Sequence, residues 1–65
     1  SNKVDEMNDD KYFENIRMVE GIIAKLDEGK ISPEEAKRLF ESAKDLIREC
    51  ESILNGYSGT IEEII

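Results

Sequence analysis

The chain has 65 residues, 16 of them acidic and 9 basic, for a net charge of −7, with no histidine and one cysteine. An acidic chain lacks the clustered Lys and Arg of a direct nucleic-acid binder. A single cysteine allows no internal disulfide, and the missing histidine removes the commonest metal ligand and general base, so neither a metal nor a cofactor is expected.

Residues 1–8 are polar apart from Val4 and Met7 and read as a disordered lead. Asn8, Asp9 and Asp10 offer N-caps for a first helix, expected over about 9–28. Within it Tyr12, Ile16, Val19, Ile23 and Leu26 recur at spacings of 4, 3, 4 and 3, the pattern of a coiled-coil seam. Phe13, Met18 and Ile22 widen that seam into a broader stripe. Gly21 interrupts the helix at a cost of up to ~1 kcal/mol, which reads as room for a neighbour's backbone to come close.

The stretch Leu26–Ala36 turns the chain back. Gly29 suits a left-handed helix terminator. Ser32 suits an N-cap and Pro33 the first helical position. Glu35, three residues after Ser32, completes a capping box, and Glu34 and Glu35 favour the positive end of the helix dipole. The second helix is expected over about 33–55. Ala36, Leu39, Ala43, Leu46, Cys50, Ile53 and Tyr57 form its seam, and Phe40, Ile47 and Leu54 run beside them at intervals of seven. The pairs Glu34–Arg38 and Glu41–Lys44 support its outer face. Asn55-Gly56 is a stop signal, and residues 59–65 read as a short tail or turn.

The expected fold is therefore all-α: an antiparallel two-helix hairpin domain over 9–58. The small side chains Ala36 and Ala43 let the helix axes approach. A two-helix monomer would leave the flanking apolar rows open, and such surface marks an interface. The hairpin is thus expected to self-associate into a helical bundle or to dock on another protein, with Ile22, Phe40, Ile47 and Leu54 at the partner interface. So short a core rarely supplies more than about 3–5 kcal/mol, which favours the same conclusion.

No catalytic set assembles. The acidic pairs Asp9–Asp10, Asp27–Glu28, Glu34–Glu35 and Glu62–Glu63 are sequence neighbours, whose side chains diverge by about 100° on a helix; capping and solvation account for them. Cys50 has no histidine to activate it and reads as a small buried apolar residue. Tyr12 and Tyr57 fall at the open end of an antiparallel hairpin. Lys37, Lys44 and Arg48 share one side of the second helix, among Glu34, Glu41, Asp45 and Glu49, and read as part of a solvated face in preference to a modest patch for an acidic partner or for nucleic acid held by a larger protein. No apolar run approaches the roughly 18 residues of a membrane span. The free cysteine and the lack of an export signal point to the cytoplasm.

The run Val19-Glu20-Gly21-Ile22-Ile23-Ala24-Lys25-Leu26-Asp27-Glu28-Gly29-Lys30-Ile31-Ser32, followed by Glu34-Glu35-Ala36, Leu39-Phe40-Glu41 and Cys50, resembles the small subunit of exodeoxyribonuclease VII. The register holds without a gap from Tyr12 to Cys50. Pro33, Lys37, Ala43 and Asn55-Gly56-Tyr57 depart from the family pattern. The resemblance implies a non-catalytic subunit. The large subunit of that family carries the nuclease site and a nucleic-acid-binding domain, several small subunits coat its long helical part, and the complex degrades single-stranded DNA to oligonucleotides. The competing reading is a helical-hairpin oligomerisation or docking module unrelated to nucleases. Such modules end soon after the second helix begins, whereas here the seam continues to Ile53 or Tyr57.

Overall fold

The computed structural model describes residues 3–57, with side chains from residue 9 onward. Two helices make up the architecture, α1 over Lys3–Glu28 and α2 over Pro33–Asn55. They lie side by side as an antiparallel hairpin, a rod of 46 × 21 × 15 Å. The second helix matches the expected span. The first begins at Lys3 rather than near residue 9, so residues 3–8, expected as a disordered lead, are helical in backbone. Lys3, Glu6 and Met7 are good helix formers, and Asn8, Asp9 and Asp10 are carried inside the helix instead of capping it. Residues 58–65, including the tail expected over 59–65, lie outside the described residues.

The reversal is built from local signals. The Gly29 N–H donates to the Leu26 carbonyl at 3.2 Å, and Gly29 takes φ 69°, a left-handed conformation that costs a residue with a Cβ about 1–2 kcal/mol. Ser32 is the N-cap of α2. Its Oγ accepts from the Glu35 N–H at 3.1 Å, leaving one fewer free donor at the helix start. The return half of the expected capping box is replaced. The Glu35 carboxylate accepts from Arg38 Nε at 3.1 Å and from Nη2 at 2.5 Å, so Arg38 pairs with Glu35 and not, as expected, with Glu34. A guanidinium one turn away offers a two-pronged, charge-assisted contact that a backbone N–H cannot match. Lys44 pairs with Glu41 at 3.5 Å as anticipated. At the far end Gly56 keeps a right-handed φ of −64°, and its N–H is shared between the carbonyls of Ser52 and Ile53.

The two helices touch along a thin seam. Val19, Ala43 and Cys50 are its buried apolar residues, with Tyr12, Ile16, Ile22 and Leu26 of α1 and Ala36, Leu39, Leu46 and Ile53 of α2 half-buried. Ile23, expected in the seam, is 51% exposed, whereas Ile22, expected beside it, is half-buried. The most deeply buried side chain is polar: Asn15 is 0% exposed. Its Nδ2 donates to Glu49 Oε1 at 2.7 Å and lies 3.4 Å from the Leu46 carbonyl. Glu49 in turn pairs with Lys11 at 3.7 Å.

These cross-helix contacts set the register. Asn15 is level with Leu46 and Glu49, and Tyr12 is level with Cys50, whose thiol lies 3.9 Å from the Tyr12 carbonyl. At the open end the Tyr57 hydroxyl donates to Asp9 at 2.8 Å, consistent with both tyrosines falling at that end.

Candidate functional site

Two helices one layer deep cannot enclose a site. Among the described residues there is no pocket and no group of three or more Cys, Asp or Glu placed to hold a metal ion. Cys50 is buried, packed where α1 passes. What the fold offers a second molecule is a surface.

The Lys11–Glu49 pair orients that surface. At 3.6 residues per turn, Lys11 and Glu49 lie on the same flank of the hairpin. The opposite flank of α1 then presents the exposed Ile23 and the open side of the half-buried Ile16, with Phe13 further round. The matching flank of α2 presents Phe40, Ile47 and Leu54. In the register fixed by Asn15, Ile23 stands level with Phe40 and Ile16 with Ile47. The two helices thus combine into one apolar face instead of two separate rows. Phe40 is 56% exposed, Ile47 44% and Leu54 52%. Phe13 is also exposed, its ring meeting Tyr12 edge-on at 5.3 Å. Met18 is exposed on the other flank, outside this face.

Of the four residues expected at a partner interface, three lie on the face: Phe40, Ile47 and Leu54. Ile22 turns toward the hairpin's own seam and its neighbour Ile23 takes the open position. Sequence reasoning missed the α1 half of the face, Phe13, Ile16 and Ile23. It also missed Asn15, whose burial decides which isoleucines are released. The signal was present, because Asn15 stands four residues before Val19 and so continues the spacing of Ile22 and Leu26 backwards.

Charge frames the face. Glu20 and Asp27 border its α1 edge; Lys37 and Lys44 border its α2 edge. The Lys44 ammonium sits 5.4 Å from the centroid of the Phe40 ring, a cation–π contact that extends the apolar surface with the lysine's own methylenes. Arg48 is tied to Asp45 at 2.6 Å on the outer side of α2. Gly21, expected to admit a neighbouring backbone, has nothing within 4 Å of where a Cβ would stand; it points away from both the seam and the face.

Compared with known families, residues 12–63 match the family described as Exonuclease VII small subunit. The chain belongs to the exonuclease VII small-subunit family. The match runs from the first seam tyrosine past the end of α2, so it covers α1 from Tyr12 onward, the turn and all of α2. No curated protein and no solved structure matches the chain. No described helix is long and apolar enough to cross a membrane.

Proposed function

We propose that the chain is the non-catalytic small subunit of an exodeoxyribonuclease VII. In this reading it binds the large catalytic subunit in a complex that degrades single-stranded DNA to oligonucleotides in the cytoplasm. The observation that carries the reading is the composite apolar face, with Phe40, Ile47 and Leu54 each about half exposed. A face of this kind takes an amphipathic helix from a partner, whose apolar anchors recur at helical spacing. Family membership supports a partner that itself holds the nuclease site. The negative charge argues that DNA is gripped by that partner and not by this chain. Ile22, half-buried in the seam and turned toward the Lys11 flank, stays outside the contact.

The test is co-expression with the large nuclease subunit of the same host. The chain should co-purify with it and raise its yield of active single-strand nuclease. Phe40→Glu should abolish co-purification while the helical circular dichroism of the isolated chain is retained. Because Phe40 is 56% exposed, its replacement should change the stability of the monomeric hairpin, measured at a concentration too low for self-association, by no more than about 0.5 kcal/mol. Failure of the native chain to bind, or binding with no effect on nuclease activity, would defeat the reading. Without that partner, the open face leads the chain to associate with itself.

A further inference from the structure

We propose that the free chain forms a two-fold dimer through the same apolar face, with α1 of one copy lying over α2 of the other. The proposal deepens the self-association just stated by fixing its geometry. Two hairpins can meet face to face about a two-fold axis in two simple ways. An axis across the helices stacks α1 on α1 and α2 on α2. An axis along the helices stacks α1 on α2. The charged edges choose between them.

The α1 edge is acidic through Glu20 and Asp27, and the α2 edge carries Lys37 and Lys44, with the exposed Glu51 seven residues further on, level with the uncharged Phe13. Glu20, Asp27, Lys37 and Lys44 are all at least partly exposed. Stacking α1 on α1 sets carboxylate against carboxylate along the whole α1 edge and Lys44 against its own copy on α2, leaving only Lys37 near Glu51 as a favourable pairing, which opposes association. Stacking α1 on α2 sets Glu20 and Asp27 of each copy against Lys44 and Lys37 of the other. The heights also agree. An axis along the helices leaves each residue at its own level, and the Asn15–Leu46 and Tyr12–Cys50 contacts put Lys37 within a turn of Asp27 and Lys44 within a turn of Glu20. Symmetry doubles both pairings.

Lys44 already pairs with Glu41 on its own helix. That exposed pair is weak and leaves the ammonium free to be shared. In the core of the dimer the Ile23–Phe40 and Ile16–Ile47 tiers of one copy meet the same tiers of the other. The result is an antiparallel four-helix bundle. The hairpin's broad side, 46 by 21 Å, is large enough for the roughly 800 Å² per partner that stable complexes bury. The dimer and the docked subunit use one face, so they exclude each other.

The experiment needs no partner: sedimentation equilibrium of the full chain and of three double variants, with circular dichroism to check that each is helical. K37E/K44E makes both edges acidic, and E20K/D27K sets lysine against lysine. Each alone should dimerise at least about tenfold more weakly than the native chain. Mixed in equal amounts, the two should form a one-to-one heterodimer. K25E/R38E, which changes net charge as much as K37E/K44E but lies off the face, should dimerise like the native chain. A native chain that stays monomeric at high micromolar concentration would refute self-association altogether. A dimer unaffected by the edge reversals, or edge variants that fail to recover on mixing, would refute this arrangement. Neither result bears on docking to the large subunit, which co-purification reads separately.

Discussion

Replacing Asn15 by Leu should stabilise the hairpin. Asn15 is fully buried, yet only half of its amide is used: Nδ2 reaches Glu49 and the Leu46 carbonyl, while Oδ1 has no hydrogen-bond partner. A bond to a charged group is worth about 1.5–3 kcal/mol, and a buried polar atom left without a partner costs about 1–3 kcal/mol. The two nearly cancel. Losing the bond strands nothing, because the Glu49 side chain is 48% exposed and keeps both Lys11 and water. Leucine then adds roughly 1.5–3 kcal/mol for burying an apolar side chain of similar size. The net expectation is a gain of about 1–3 kcal/mol. In a domain of this size each 1 kcal/mol raises Tm by about 4–8 °C. Thermal and urea unfolding followed by circular dichroism, at one fixed chain concentration because association couples to stability, measures the change. Unfolding of Asn15→Leu at lower temperature than the native chain would refute the reasoning. It would show that the Asn15–Glu49–Lys11 network is worth more than its orphaned carbonyl costs. The same variant should be less exact in its pairing. A buried amide fixes helix register, so sedimentation of the leucine variant should reveal additional association states.

Three further outcomes follow from the local geometry. Gly29→Ala should lower stability by about 1–2 kcal/mol, because φ 69° is the left-handed region; an unchanged urea midpoint would show that the turn rearranges freely. Gly21→Ala should raise stability by up to about 1 kcal/mol, since the site is helical and open. It should leave both self-association and large-subunit binding unaltered, and lost binding would reveal a close approach at Gly21 after all. Cys50 should resist thiol reagents in the folded hairpin and react at once in denaturant, because it is buried against α1; fast labelling under native conditions would show that the seam opens there.

The hairpin itself was legible because its signals are local and mutually consistent. Gly29, Ser32 and Pro33 each demand a particular backbone position, and all agree with the apolar periodicity on either side. The second helix was read to the residue for that reason. The start of the first was not, since Asn8, Asp9 and Asp10 are capping residues that a helix also tolerates within its first turns. Pairing choices such as Glu35 over Glu34 for Arg38 depend on side-chain geometry that spacing alone leaves open.

The site was only half legible, and the reason lies in one ambiguity. Two seams pass through α1. Both contain Tyr12, Val19 and Leu26; one adds Ile16 and Ile23, the other Asn15 and Ile22. Apolarity favours the first, because it admits no amide to the core. The structure lies nearer the second: Asn15 is buried, Ile16 and Ile22 are both half-buried and Ile23 is open. A seam containing Ile23 would draw that residue, and with it Ile16, between the helices and leave α1 without apolar side chains to match Phe40 and Ile47. Turning α1 by less than one residue spacing places a polar group in the core, opens Ile23 and leaves one side of the half-buried Ile16 toward the flank where α2 already presents its own row. The cost of burying Asn15 is thus linked to the continuity of the face across both helices. That link predicts opposite effects of Asn15→Leu on stability and on partner binding: a hairpin that unfolds at higher temperature but, where its register slips, aligns Ile23 and Phe40 less often and binds its partners more weakly.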